Sequence, residues 1–177
     1  MYTRKGDDGK TTLFHCDQRL SKSSIIAEAL GTLDELNSFL GICRTKASGE
    51  ENNDLAKQIL LVQNDLFIIQ ASLAGADKHI NLERVEWLEN IIGGIEKEIP
   101  PIKNFIIPGS DEVTAHIDYA RTLARKAERR AVAVFDEGKV QVEKNTLIYL
   151  NRLSSFLFAL GRQKAYKSGI NEEHPNY

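Results

Sequence analysis

Arg121, Arg125 and Arg129 recur at every fourth residue, in a run that also holds Lys126, Glu128 and Arg130. At about 100° per residue they share an ~80° sector of a helix, where like charges repel unless an anion or a carboxylate meets them. The rigid guanidinium fork suits phosphate oxygens, so a polyphosphate is the natural guest; the bland alternative is a solvated basic face. A second phosphate signal lies at the N-terminus, Thr3-Arg4-Lys5-Gly6-Asp7-Asp8-Gly9-Lys10-Thr11-Thr12. Glycines let backbone approach an anion, hydroxyls and amides donate to it, and lysine brings charge. Gly9-Lys10-Thr11 imitates the end of a Walker A loop, but the two residues between Gly6 and Gly9 are too few for one. A flexible polar terminus is the competing reading.

Two carboxamides and a carboxylate complete the set. Asn37 sits in the middle of an apolar stripe, Asp34 at its edge, and Asn151 beside a run of leucines. Buried polar side chains need partners, and the arginine-rich helix could supply one for Asp34; each of the three could equally be a structural bridge. Other chemistries fit poorly. There is no Glu-x-x-His pair for a di-iron carboxylate bundle. His15, His79, His116 and His174 are scattered, and no Ser-His-Asp or Cys-His grouping can be nominated by spacing.

These residues need elements to hold them, and the apolar spacing predicts helices. Leu55, Ile59, Val62, Leu66, Ile69 and Leu73 follow a 4-3-4-3-4 pattern, the period of a helix facing a core. Leu82, Val85, Leu88, Ile92, Ile95 and Ile99 repeat it up to Pro100-Pro101, which stop it. Val113, Ile117, Ala120, Ala124, Ala127, Ala131 and Val134 form a stripe of small side chains, and Leu147, Leu150, Leu153, Leu157 and Leu160 another. A first helix spans 24–46. Ser110, before Asp111 and Glu112, reads as an N-cap with an acidic first turn, and 104–109 as the one extended piece. The expected fold is all-α, a five-helix up-and-down bundle in a single domain over 1–177, with 1–22 as a polar functional arm.

Composition sets the outer bounds. The 177 residues are 42% hydrophobic and 27% charged, with a net charge of −2. That balance supports one packed core and argues against a nucleic-acid binder. No apolar run approaches the ~20 residues of a membrane span, and the N-terminus lacks a signal-peptide h-region. Cys16 and Cys43 cannot make a disulfide framework and fit a reducing cytoplasm.

Five segments, in order, resemble the PduO-type ATP:cob(I)alamin adenosyltransferases. They are Tyr2-Thr-Arg-Lys-Gly-Asp-Asp-Gly-Lys-Thr-Thr12, Glu28-Ala-Leu-Gly-Thr-Leu-Asp-Glu-Leu-Asn-Ser38, Phe105-Ile-Ile-Pro-Gly109, Ala120-Arg-Thr-Leu-Ala-Arg-Lys-Ala-Glu-Arg129 and Leu150-Asn-Arg-Leu-Ser154. The resemblance implies a corrinoid adenosyltransferase of the cob(I)yrinic acid a,c-diamide class, a homotrimer with active sites between subunits. It implies Thr3, Arg4, Lys5, Gly6, Thr11, Thr12 and Lys22 around the ATP triphosphate, with Arg125, Lys126, Ala127, Glu128, Arg129 and Asn151. Asp34 and Arg121 match residues that pair across the subunit interface. Phe105 matches the aromatic residue beneath the corrin ring that keeps the lower base away. Lys126 stands where the family usually has Arg, keeping the charge without the fork; Ser110 stands where it has Gly, and Asp118, given no role, where many relatives have His.

The implied reaction is alkyl transfer from ATP, with Mg²⁺, to cob(I)alamin, which itself supplies the nucleophile. A flavoprotein reductase and an adenosylcobalamin-dependent client enzyme are the implied protein partners. A non-catalytic bundle that binds nucleotide or polyphosphate, and a purely structural oligomerisation bundle, are the alternatives.

Overall fold

The 4-3-4-3-4 pattern becomes α2 (Asn53–Leu73), with Ile59, Val62, Leu66, Ile69 and Leu73 all buried. The other stripes become α1 (Ile25–Lys46), α3 (Leu82–Glu98), α4 (Glu112–Glu137) and α5 (Lys144–Lys167). The computed structural model describes residues 2, 4–13, 18–47 and 53–177; Thr3, His15 and Cys16 lie outside them. Local chemistry sets the ends. Ser24 caps α1 by accepting from the Ala27 N–H, and Asn81 caps α3 by accepting from Arg84 N–H. Gly138, at φ +70°, closes α4 in the left-handed conformation that glycine adopts without strain.

Two expectations are corrected. The cap of α4 is Asp111, not Ser110: Asp111 accepts from Thr114 N–H at 2.7 Å, and Thr114 Oγ1 accepts from Asp111 N–H at 2.7 Å. Thr114 closes the box from only one of the two positions. The arm, expected as a polar functional loop with 104–109 as the one extended piece of the chain, contains an antiparallel strand pair, β1 (Lys10–Thr12) with β2 (Arg19–Ser21), in register Thr11 to Leu20.

Helix α4 is central, packing on both α1 and α5; α2 lies against α1, and α3 against α5. Its alanines explain the position. Ala120, Ala124, Ala127 and Ala131 are fully buried, and small side chains let two neighbouring helices approach at once. Adding volume there would force neighbours apart at about 1–3 kcal/mol. A polar triad around the buried Asp65 ties α2 to α3 and α5: the Tyr149 hydroxyl donates to Asp65 Oδ2 at 3.0 Å, and the half-exposed Arg84 places its Nε 3.5 Å from Asp65 Oδ1. Burial pushes the Asp65 carboxyl up, against the pull of Tyr149 and Arg84. Asn37 is buried as its stripe position predicts. Its partner is Gln63 of α2: each side-chain amide donates to the other's backbone carbonyl, at 3.4 and 3.0 Å.

Candidate functional site

Arg121 and Arg125, one turn apart on α4, face a cleft of about 420 Å³ closed by Phe105 and Ile106 of the α3–α4 linker and by Ser154, Ser155 and Phe158 of α5. Helix period puts the arginines together; the Pro100-Pro101 stop releases the chain that brings Phe105 across to them. Phe105 is 78% exposed, a large apolar face offered to whatever enters. Arg121 is 28% exposed, its guanidinium 5.9 Å from the Phe158 ring and its Nε 3.9 Å from Asp118. That Nε is buried with no hydrogen-bond acceptor among the described residues. Arg125 is exposed, and its guanidinium makes no hydrogen bond or ion pair among them. Two cations with unmet hydrogen-bonding capacity beside an aromatic face form a receptor for an anion attached to an apolar body.

The rest of the arginine run is differently occupied. Arg129 Nη1 donates back to the Arg125 carbonyl at 2.9 Å, Lys126 Nζ reaches Glu35 of α1 at 2.7 Å, and Asn151 Nδ2 donates to Glu128 at 2.8 Å. Glu128 and Asn151, which only the family resemblance assigns to one site, are thus hydrogen-bonded neighbours on α4 and α5. Ala127 is buried in the α4 seam, so its side chain serves packing. The Lys126 pair is half exposed on both sides and contributes at most about 1 kcal/mol, a contact that an incoming phosphate can replace.

The arm is built to present backbone. Lys22 Nζ donates to the Gly6 carbonyl at 2.8 Å, and Lys22 N–H to the Gly9 carbonyl at 2.9 Å. The missing side chain at Gly6 leaves room for this approach, since a Cβ there would stand 3.0 Å from Lys22 Nζ and make the lysine tip shift. Arg19 grips Asp8 at 2.8–2.9 Å and reaches the Lys5 carbonyl. Arg4 is held at φ +58°, a left-handed conformation uncommon for a side-chain-bearing residue. Thr12, Lys5 and Lys22 are exposed, and Thr11 half-buried.

Asp34 departs from expectation. It is exposed rather than partly desolvated, and it lines a separate groove with Gly31, Phe67 and Ala71, between α1 and α2. Within the chain it does not meet Arg121. Asp118, given no role from sequence, holds the linker instead: its Oδ2 accepts from Gly109 N–H at 3.0 Å. Burial pushes the Asp118 carboxyl up, opposed by that N–H and by Arg121. The i,i+3 spacing to Arg121 was the available signal. Cys43 is buried with its thiol pushed up to about 12, which leaves it un-ionised and inert.

The sequence profile of the cobalamin adenosyltransferase family matches residues 1–164. The corrinoid adenosyltransferase of Bacillus subtilis is 37% identical, over 97% of this chain and 90% of its own length. The corrinoid adenosyltransferase PduO of Salmonella typhimurium is 40% identical over 98% of this chain. The chain spans about half the length of that relative, 53%. Among solved structures, a phenylalanine-to-histidine variant of the PduO-type ATP:corrinoid adenosyltransferase from Lactobacillus reuteri, complexed with cobalamin and ATP, superposes with a TM-score of 0.92. Its identity is 28%, over 99% of this chain and 96% of that one.

Proposed function

The chain belongs to the cobalamin adenosyltransferase family, and on that premise we propose that it transfers the 5′-deoxyadenosyl group of ATP to cob(I)alamin. The carrying observation is the cleft in which Phe105 stands beside Arg121 and Arg125. Cobalt forms the bond to the ribose 5′ carbon, the carbon–oxygen bond to the triphosphate breaks, and its electron pair leaves with inorganic triphosphate. Because the corrinoid supplies the nucleophile, the protein needs none. Its tasks are alignment and stabilisation of charge on the departing triphosphate.

In this reading Thr3, Arg4, Lys5, Gly6, Thr11, Thr12 and Lys22 form an ATP-binding arm within one domain of 1–177. Arg125, Lys126, Arg129 and Asn151, with the backbone of Ala127 and with Glu128 orienting Asn151, receive the nucleotide. Phe105 lies under the corrin. Among the described residues no group of three or more His, Cys, Asp or Glu side chains could hold a metal ion. In this reading Mg²⁺ arrives on the triphosphate, whose oxygens would carry it and whose charge it would offset.

The same proposal makes the protein a homotrimer with intersubunit sites. Arg121 Nε lacks an acceptor, Asp34 is exposed, and the two do not meet within one chain. Phe67, 62% exposed, borders the Asp34 groove and offers apolar area for a neighbouring copy. A flavoprotein reductase would supply cob(I)alamin and an adenosylcobalamin-dependent enzyme would consume the product. No helix among the described residues is long and apolar enough to cross a membrane, and the buried free thiol of Cys43 is in keeping with a reducing cytoplasm.

The test is incubation with ATP, Mg²⁺ and chemically reduced cobalamin. Light-sensitive adenosylcobalamin with equimolar triphosphate is the expected result. ATP binding without turnover would replace the enzyme by a nucleotide-binding bundle.

A further inference from the structure

We propose that the C-terminal tail is a strap on the α3–α4 linker, with His174 as the positioning residue for Phe105. What Phe105 does rests on the function proposed above; the strap itself does not.

Segment 101–107 has no regular structure, and most of it is exposed. Among the described residues its two hydrogen bonds both run to the tail. Ile107 N–H donates to the Glu173 carbonyl at 2.8 Å, and His174 Nδ1 donates to the Phe105 carbonyl at 2.8 Å. The tail is in turn pinned to α5. Arg162 donates to both carboxylate oxygens of Glu172, at 2.6 and 3.2 Å, and the same guanidinium reaches the Pro100 carbonyl at 2.9 Å. This ion pair is 10% and 26% exposed, the paired fork geometry that gives both direction and strength. One arginine thus fixes the start of the linker and the root of the strap, and the next two tail residues fix Ile107 and Phe105.

The position matters because Phe105 is a shared wall. On one side is the cleft of Arg121 and Arg125; on the other, a cleft of about 590 Å³ lined by Lys103, His174, Pro175 and Tyr177. Pro101 and Pro108 restrict the backbone at both ends of the segment, which leaves the Phe105 carbonyl as the point where a single hydrogen bond has most leverage. The bond needs a proton on Nδ1, present in one neutral tautomer and in the imidazolium, so it survives protonation of the ring.

The test compares wild type with His174→Ala and His174→Asn, the latter placing an amide N–H near the Nδ1 position. Two readouts are taken: hydrogen exchange over 105–107 without substrates, and kcat and KM for cob(I)alamin and for ATP. His174 is exposed, so neither variant disturbs the core. His174→Ala should speed exchange by about 2- to 12-fold, the span of one net hydrogen bond. It should lower kcat/KM for the corrinoid by a similar factor, leave KM for ATP within about twofold, and be largely rescued by Asn. Wild-type exchange in His174→Ala overturns the strap. Faster exchange with unchanged corrinoid kinetics, or no rescue by Asn, overturns the positioning role. A wild-type protein that makes no adenosylcobalamin overturns the functional reading, and with it the role for Phe105, while exchange still decides the strap.

Discussion

Arg121 and Arg125 share a cleft but not an energetic situation, and replacing each by Ala should separate them. Arg121 is mostly buried, lies over Phe158 and stands 3.9 Å from the half-buried Asp118. Its loss removes an exposed-side cation–π contact of about 0.5–1 kcal/mol and a charge partner contributing about as much. At roughly 2–4 °C per kcal/mol for a chain of this size, Arg121→Ala should melt about 2–8 °C lower. The Arg125 guanidinium has no partner among the described residues, so Arg125→Ala should stay within about 0.5 kcal/mol of wild type. Its effect should fall on chemistry instead. One charge-assisted hydrogen bond to the leaving triphosphate, about 1.5–3 kcal/mol, corresponds to roughly a 10- to 150-fold loss of kcat. Thermal melts paired with adenosylation rates at saturating substrates decide the matter. An Arg125→Ala protein that melts well below wild type, or that turns over within about twofold of it, would refute the assignment.

Tyr149→Phe should lower stability at pH 7 by about 1.5–3 kcal/mol, because the fully buried Asp65 loses its hydroxyl donor. Since burial raises the folded pKa of Asp65 above its unfolded value, the native state binds the extra proton and its ionic penalty fades as pH falls through that folded value. The deficit should therefore shrink in acid melts, and a gap that stays constant from neutral pH down to the acid limit of folding would be the wrong outcome. Gly6→Ala should keep the melting temperature but raise KM for ATP, since the added Cβ displaces only the flexible end of Lys22; unchanged nucleotide kinetics would remove Gly6 from the site. Saturating MgATP should slow hydrogen exchange over 4–13 and 18–24, and unchanged protection would count against the phosphate cradle. Asp34→Asn and Arg121→Ala chains, each impaired alone, should regain activity when subunits are exchanged, because some interfaces then hold both residues intact; no recovery despite exchange would dissolve the intersubunit pair.

The helices were legible because their signal is long and periodic: five turns of α2 repeat one spacing, and Pro100-Pro101 leave no doubt where α3 stops. The strand pair of the arm was not, since strands of three residues are too short to show alternation. Ser110 and Asp111 both suit a cap, and only the reciprocal bonds of Thr114 choose between them. At the site, the arginine period could be read from spacing, whereas the Glu128–Asn151 contact between α4 and α5, two residues that only the family resemblance put at one site, could not. Asp118 on Gly109 and His174 on Phe105 could not, because each bond depends on where an irregular linker comes to rest. Asp34 is a related case: the edge of an apolar stripe predicts partial burial, and in a single chain the groove beside it is open.

That open groove bears on how the chemistry is divided. A protein whose substrate brings its own nucleophile has only placement and charge compensation to contribute, and both can be spread over separate elements. Here the arm presents a glycine-rich backbone and lysines, α4 presents the guanidinium groups of Arg121 and Arg125, and the linker presents Phe105. Asp34 faces away from all of them, beside an exposed Phe67. An exposed carboxylate next to bare apolar area in one place, and a partly exposed guanidinium in another, are complementary features that a second copy of the chain would bring together in the proposed assembly. Assembly would then do more than add buried surface: it would fix Arg121 at the same step that completes the cleft, so that a lone subunit would be a poor catalyst even when folded.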